Sequence, residues 1–385
     1  MQFTKPVTLF RIFGFQIKAD ASWLFLSVLI AWSLMTTVFP AAYPGHDPDT
    51  YQHMAVWSVV GLLASIIFHE LAHAIIAEYY NMPILSIRLF IFGGVAEFKG
   101  RPSHARGEFM MAIAGPIMSF LLGLAFWAVY DGINLNFGTG PVAQMFHYLA
   151  VLNFLLAGFN LIPAFPLDGG RALRAWLWLR HNNLVIATRK AADLGEIFAF
   201  CLMVYGCYRL TIFDDLLGSI WIALMGLFML GAATYAVRQT ESWSILEGQT
   251  VRDFMNTDYV HVSPDLNLHD FVEQYVYKYY QQNFPVVDQG RLSGMIDVQA
   301  VMSTDRKRWG WTHVGSQMTD IKNLMPVDAD TPAAEALDMM NRLNLRTLLV
   351  TQKDGLVGIV GINDITNYLS IITKLDRTHI TKNSV

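Results

Sequence analysis

The chain has 385 residues, of which 54% are hydrophobic and only 15% charged, and its mean hydropathy is +0.35. A soluble protein of this length carries more charge on its surface, so the composition predicts a polytopic membrane protein. The formal net charge is -4, and no basic patch interleaved with aromatic residues is present, so nucleic acid is excluded as an expected partner.

Six apolar windows, each long enough to cross a bilayer as a helix, follow one another along the first 240 residues. Residues 1–20 contain neither a signal-peptide core nor a cleavage site, so we expect the first window to remain as a span. The windows fall near residues 22–40, 54–80, 108–130, 142–163, 194–210 and 216–237.

Lysine and arginine residues are concentrated on one side of these windows. They precede the first window and follow the second and the fourth, whereas the alternate loops contain only Arg209. By the positive-inside rule, the sequence predicts a multi-pass protein of the cell membrane, in contact with lipid, whose two termini are both cytoplasmic.

The second window contains His69, Glu70 and His73 in the spacing HExxH. On a helix, residues i and i+4 share a face, so the two imidazoles can bind one Zn²⁺ while Glu70 faces the water that reacts. Ionisable side chains are costly in the hydrocarbon core, so three of them within five residues indicate a functional site. The motif predicts hydrolysis inside the membrane, and intramembrane proteolysis is the interpretation that we favour.

Residues 84–98, between the second and third windows, are rich in strand-forming residues and are interrupted by Gly93-Gly94. This pattern predicts a β-hairpin with its turn at the two glycines, dipping toward the membrane. An exposed strand edge there could pair with an extended substrate segment. Alternatively, the hairpin only plugs the helix bundle, because bare strand edges are normally covered.

A catalytic zinc site takes three protein ligands and keeps a fourth position open, so HExxH needs a further ligand. Asp168 completes the set best, because it ends the fourth window, where Pro163 and Pro166 interrupt a regular helix. Irregular backbone at membrane depth is tolerated where it is buried in protein or lines a wet cavity, so the break marks a site. The alternative role of Asp168 is to cap the helix that follows.

Two motifs together carry a family resemblance. The HExxH run in one window and an Asn-x7-Asp-Gly run, residues 160–169, in a later broken window resemble the site-2 protease family of intramembrane zinc metalloproteases. The resemblance covers roughly residues 8–238 and includes Phe-Gly-Gly at 92–94 and Ala-Gly-Pro at 114–116. Many members of that family carry asparagine three residues after this proline, where the present chain has Ser119.

The resemblance implies roles for particular residues. It implies His69, His73 and Asp168 as ligands of one Zn²⁺ per chain, and Glu70 as the general base. It implies that Asn160 steadies the substrate carbonyl or its oxyanion, although this amide could instead bond a backbone carbonyl freed at the helix break. The implied substrates are single-span membrane regulators such as anti-sigma factors, pro-sigma factors or membrane-bound transcription factors.

After about residue 243 the composition becomes that of a soluble protein, and the tail contains an internal repeat of roughly 64 residues. The repeat resembles a tandem pair of cystathionine-β-synthase-type (CBS) domains, a resemblance that is compatible with a homo-oligomer. The predicted domains are 1–240 for the membrane protease, 244–305 for the first CBS domain and 312–375 for the second. The predicted fold is thus a six-helix membrane bundle with a short β-hairpin, followed by a cytoplasmic α+β module.

The CBS resemblance also implies a site for an adenine nucleotide such as ATP, ADP or AMP. Asp364 matches the ribose-contacting aspartate of that family, whereas Ala300 takes the equivalent place in the first copy. The family's Ser or Thr, three residues before that aspartate, is replaced by Asp297 and Gly361. We therefore expect at most one intact nucleotide site, and the alternative is a scaffold that dimerises or holds substrate.

The function predicted from these features is an intramembrane zinc endopeptidase whose CBS pair responds to nucleotide or docks substrate. A transporter gated by CBS domains is an alternative, but it should carry polar residues along several windows, whereas here they converge on 69–73 and 160–168. A catalytically idle membrane scaffold is a further alternative, against which the intact Glu70 argues.

Overall fold

The computed structural model of the chain describes the following residues: 7–82, 84–90, 93–98, 102, 104–213, 216–289, 291–320, 324–343, 345–352 and 355–382. The chain divides into two compact units, Met1–Thr240 and Glu241–Val385. Each unit is built around its own buried residues. The finer boundaries at 244–305 and 312–375 stay predictions.

Six helices within the described residues are long and apolar enough to span a bilayer, which confirms the predicted polytopic bundle. A helix satisfies all its interior backbone hydrogen bonds within one segment, so apolar runs of this length take that form in lipid. The six spans are Ala21–Ala42, Pro48–Tyr79, Ala105–Phe137, Pro141–Asn160, Leu184–Ile212 and Gly218–Ile245.

The helices of the membrane unit are labelled in chain order, and the first span consists of two of them joined by a π-helical turn at Leu34–Val38. One further helix is too short and too polar to span a bilayer, and it directly follows the helix break predicted from the prolines. The labels are α1 (Ala21–Ser33), α2 (Phe39–Ala42), α3 (Pro48–Tyr79), α4 (Ala105–Phe137), α5 (Pro141–Asn160), α6 (Asp168–His181), α7 (Leu184–Phe213) and α8 (Leu216–Ile245).

A four-stranded sheet accompanies these helices, in the order β1 (Val7–Ile12), β2 (Phe15–Ala19), β3 (Ile84–Phe90) and β4 (Gly93–Phe98). Strands β2 and β3 are parallel, and the other two neighbouring pairs are antiparallel.

The predicted β-hairpin is present as β3 and β4, but it is half of a larger sheet, and the predicted turn position is wrong. Gly93 and Gly94 lie inside β4, where they pair with Phe90 and Leu89. The two residues that join the strands, 91 and 92, lie outside the described residues. The sheet is larger than predicted because β1 and β2 come from the N-terminal segment, where no strand was expected.

One face of the sheet packs on α3 at the level of the HExxH motif. Ile17, Ile87 and Leu89 are fully buried there, together with Ile67 and Leu71 of the helix. Side chains alternate between the two faces of a strand, so β2 and β3 each turn one apolar row toward α3. The sheet thereby holds the part of α3 that carries the two histidines.

The described residues of the second unit form two three-stranded sheets, and the α+β character of the unit confirms the fold predicted for the CBS module. The strands are β5 (Asn283–Asp288), β6 (Arg291–Asp297), β7 (Thr319–Asp320), β8 (Val327–Asp328), β9 (Thr347–Gln352) and β10 (Gly355–Gly361). The helices are α9 (Leu268–Phe271), α10 (Tyr277–Tyr279), α11 (Val298–Met302), α12 (Val314–Gln317), α13 (Ala333–Leu343) and α14 (Ile362–Lys382).

The first segment of each repeat packs in the core of the other repeat. Val251 is buried with Val350 and Val360 of the second repeat, whereas Val314 is buried with Phe284 of the first. Each repeat therefore needs the other to complete its buried apolar cluster, and the pair is stabilised as one unit.

Candidate metal centre

His69 and His73 lie one turn apart on the face of α3 that is buried in the bundle. They are 5% and 2% exposed, and their Nε2 atoms are 3.1 Å apart. The helix begins at Pro48, where a proline is favourable, and its residues i and i+4 share a face. Both imidazoles therefore face the same point.

Asp168 is the first residue of α6, and its carboxylate reaches that same point. Its Oδ2 lies 3.1 Å from His69 Nε2 and 3.2 Å from His73 Nε2. The residue in the N-cap position is Leu167, so Asp168 does not have the capping role considered above. A Cβ at Gly169 or Gly170 would collide with the backbone of residues 161–165, and these glycines let α6 begin against the preceding loop.

Helix α4 holds the other nitrogen of each imidazole ring. His73 Nδ1 donates to the carbonyl oxygen of Met111 at 2.6 Å, and His69 Nδ1 lies 2.8 Å from Ser119 Oγ. A Cβ at Gly115 would lie only 2.6 Å from His69 Nε2, so a glycine is needed where α4 passes the rings. These hydrogen bonds orient the rings and leave both Nε2 atoms free to bind a metal.

The three donor atoms fit a zinc ion. The two imidazole nitrogens and the carboxylate oxygen lie within 4.8 Å of one another. Ligands of tetrahedral Zn²⁺, each about 2.0–2.2 Å from the metal, lie about 3.4 Å from one another. The separations of 3.1 and 3.2 Å are close to that value. Two nitrogens and one carboxylate oxygen also form the donor set of a catalytic zinc site, in which a fourth position stays open.

Glu70 lies beside the cluster, is 8% exposed and packs against β4. A Cβ at Gly94 would lie 2.7 Å from Glu70 Oε1, so the backbone of β4 directly approaches this carboxylate. Strand β4 is the last strand in the order of the sheet. The sheet thus brings an edge strand next to Glu70.

Each of the two remaining predicted site residues makes a local hydrogen bond. Asn160 is the last residue of α5, and its Nδ2 donates to the carbonyl oxygen of Leu156 at 3.1 Å, within its own helix. Asp364 belongs to the second unit, where its Oδ2 accepts a hydrogen bond of 2.8 Å from the backbone N–H of Gly361 at the start of α14.

Two groups that contact the imidazoles were not singled out by the sequence reasoning. Ser119 was noted only as a departure from the asparagine of related proteins, although its hydroxyl meets His69. Met111 contributes a backbone carbonyl, which every residue possesses, so no residue pattern could have predicted this contact. The spacing of Gly115 and Ser119 on one face of α4 was the available signal.

A metal-dependent hydrolase of the membrane is the class of protein that this fold and this donor set define. The family model of peptidase family M50 matches residues 57–204, and the model of the CBS domain matches residues 251–306 and 318–371. Among solved structures, a site-2 protease from Methanocaldococcus jannaschii is 29% identical, covers 60% of this chain and 95% of its own, and superposes with a TM-score of 0.44.

Two curated relatives resemble the chain over nearly its whole length. A zinc metalloprotease designated Rip3, from Mycobacterium tuberculosis, is 32% identical over 370 residues, 95% of this chain and 93% of the relative. A zinc metalloprotease from M. jannaschii is 30% identical over 369 residues, 95% of this chain and 96% of the relative. The chain therefore belongs to peptidase family M50, the site-2 protease family, and carries a tandem pair of CBS domains.

Membership of this family confirms the prediction of a zinc metalloprotease and disfavours a transporter gated by CBS domains. Zinc is the metal that the family implies. The six apolar helices and the family together make the chain an integral membrane protein.

Proposed function

We propose that this chain cleaves peptide bonds within the membrane, with His69, His73 and Asp168 holding one Zn²⁺ and Glu70 acting as the general base. The observation that carries the proposal is the convergence of three donor atoms from α3 and α6 inside the bundle. When bound, the metal supplies a Lewis acid that polarises the scissile carbonyl and allows water to attack near neutral pH. Glu70 accepts the proton of that water and passes it to the leaving amine.

Asn160 is proposed to donate a hydrogen bond to the oxyanion that forms during attack. A primary amide nitrogen has two hydrogens, and only one of them is needed for the contact with Leu156. The second hydrogen can be donated to the substrate oxyanion. A donor aimed at a developing oxyanion contributes about 3 kcal/mol in well-studied hydrolases.

The proposed substrates are single-span membrane proteins, such as an anti-sigma or pro-sigma factor. The carbonyls of a helical segment are engaged in its own hydrogen bonds, so the segment must unwind before the metal centre can attack it. Glycine and other poor helix formers near the scissile bond should therefore favour cleavage. The position of β4 beside Glu70 supports strand addition as the binding mode, against the alternative of a hairpin that only plugs the bundle.

The experiment for this proposal is co-expression of the chain with a panel of tagged single-span proteins. We expect at least one of them to yield a fragment cut within its membrane segment, and to yield it only when Glu70 is intact. A panel member with several glycines in its span should be cut faster than a leucine-rich version of the same protein. A fragment of equal abundance with and without Glu70 would contradict the proposal.

Replacing Ser119 by alanine is expected to lower the affinity for zinc by about 10- to 100-fold, because His69 loses the acceptor that orients its ring. Ser119→Asn is expected to keep most of the affinity, since an amide oxygen accepts the same hydrogen bond. Competition with a chelator of known affinity measures the change. Ser27→Ala in α1 is the matched control, because its hydroxyl donates to the backbone carbonyl of Trp23 in its own helix. Equal zinc affinity of Ser119→Ala and the wild type would show that Ser119 does not orient His69 for metal binding.

The CBS pair is proposed to bind an adenine nucleotide and so to regulate cleavage. A cavity of about 350 Å³ in this unit is lined by polar residues of both repeats, among them Asn283, Gln299, Arg346 and Thr347. This volume is within the range of small-molecule sites, although Asp364 is not among the residues that line it. The alternative is that the pair docks substrate or joins two copies of the chain.

Titration of the purified full-length protein with ATP, ADP and AMP is expected to show saturable binding of at least one of them. Asp364→Ala should weaken it by about 10- to 100-fold, the effect of losing a hydrogen bond to a charged group. Asp305→Ala is the matched control, because Asp305 likewise accepts a hydrogen bond from a backbone N–H at the start of a helical turn, 3.1 Å from Lys307, and does not line the cavity. Absence of binding by all three nucleotides would remove nucleotide regulation.

We further propose that both termini are cytoplasmic, with CBS domains at 244–305 and 312–375. The basic residues before α1 and after α3 and α5 support this orientation. Protection of a C-terminal tag from protease in intact cells would test it.

A further inference from the structure

We propose that the buried ion pair between Glu108 and Arg174 is a positioning device that aims the Asp168 carboxylate at the two imidazoles. The proposal rests on the metal-binding role proposed above for Asp168. Glu108 is 0% exposed and Arg174 is 8% exposed. Arg174 donates to Glu108 Oε1 from both Nε, at 2.8 Å, and Nη2.

The pair joins the two helices that flank the metal centre. Glu108 lies in the first turn of α4, one turn before Met111, whose carbonyl accepts the hydrogen bond from His73. Arg174 lies in α6, six residues after Asp168, which is about 9 Å along a helix. The ion pair therefore links the helix that orients the imidazoles to the helix that begins with the third ligand.

A third contact of Arg174 reaches the loop before Asp168. The guanidinium lies over the ring of Phe165, 5.0 Å from its centre. Phe165 is itself buried, three residues before Asp168. Arg174 thus connects α6 to α4 through Glu108, and to the loop that leads into Asp168 through Phe165.

The energetics of such a pair favour a geometric role over a purely stabilising one. Removing two charges from water is costly, and apolar residues of similar size often stabilise a fold at least as well as a buried ion pair. The pair instead fixes the orientation of Arg174 relative to Glu108, because two donors of one planar guanidinium meet a single carboxylate oxygen. The register of α6 along α4 is then set by charge, and Asp168 is placed with it.

The test compares zinc affinity, the visible spectrum of the Co²⁺-loaded protein and thermal stability across matched variants. Arg174→Lys keeps the charge but loses the planar fork, and Glu108→Gln keeps the size but loses the charge. The double variant Glu108→Leu/Arg174→Met replaces the pair by apolar residues. Arg180→Met is the control, since Arg180 lies exposed on the same helix, over the ring of Trp176.

We expect each single variant and the double variant to bind zinc about 10- to 100-fold more weakly, the range seen when a group that orients a ligand is lost. The Co²⁺ spectrum should shift, whereas the melting temperature of the apolar double variant should stay near that of the wild type. Arg180→Met should match the wild type in all three measurements.

Wild-type zinc affinity and a wild-type Co²⁺ spectrum in the folded double variant would overturn the inference. If the double variant does not fold, the same result in Arg174→Lys would overturn it. A result against the proposed function can be told apart from these outcomes. In that case His69→Ala would bind zinc as tightly as the wild type does.

Discussion

Replacing Glu70 by glutamine is expected to lower the rate of substrate cleavage by about 10²- to 10⁴-fold, the usual contribution of a general base. The carboxamide has nearly the same size, so packing against Gly94 of β4 should persist. What it loses is the ability to accept a proton from the attacking water. Because Glu70 is not among the donor atoms that converge on the metal position, bound zinc should remain at the wild-type level.

Glu78→Gln is the matched control for this prediction. Glu78 lies on the same helix but is exposed, so its replacement should leave cleavage unchanged. The measurement is the initial rate of fragment formation, together with the zinc content of each purified variant. Cleavage by Glu70→Gln at the wild-type rate would show that another group takes the proton.

Asp168→Asn is expected to remove zinc from the purified protein and to abolish cleavage. Loss of a group that only orients a ligand lowers metal affinity by about 10- to 100-fold, so loss of a charged ligand should exceed about 100-fold. A neutral amide oxygen is a weaker donor than a carboxylate, and two imidazoles alone do not complete a catalytic zinc site. His69→Ala is expected to have an effect of the same kind, because it removes one of the two nitrogens 3.1 Å apart.

Asp193→Asn is the corresponding control, since Asp193 lies exposed on α7 and should bind no metal. Elemental analysis gives the zinc content. A chelator should inactivate the wild type, and added zinc should restore it. Full zinc content in Asp168→Asn would contradict the proposed ligand set, whatever the activity of that variant.

The proposed third ligand, Asp168, is predicted by local features of the sequence. Pro163 and Pro166 interrupt a window that is otherwise apolar, and Asp168 follows them at once. Backbone geometry of this kind depends on residues close in sequence, so it can be predicted without a fold. That Asp168 lies 3.1 Å from His69, although 99 residues separate them, is the result of packing α6 against α4, which itself packs against α3.

The sheet contains a feature that the local sequence did not predict correctly. The hairpin of β3 and β4 was expected from its composition, but its turn was misplaced at Gly93-Gly94, which lie within β4. Two adjacent glycines favour a turn, because that is their commonest local role. Their position in β4 lets the backbone approach Glu70, and that requirement comes from a side chain more than 20 residues earlier in the chain.

The amino-acid sequence by itself determined the six spans, the repeat in the second unit and the residue types of the proposed metal centre. These features depend on hydropathy over one window, on periodicity within a helix and on spacing within a motif, all of which are local. The tertiary structure alone decided that Ser119 and Met111 orient the imidazoles, that Glu108 pairs with Arg174, and that each CBS repeat completes the core of the other. Such contacts join residues far apart in the chain, and no local pattern specifies which distant partner a buried polar or apolar group will meet.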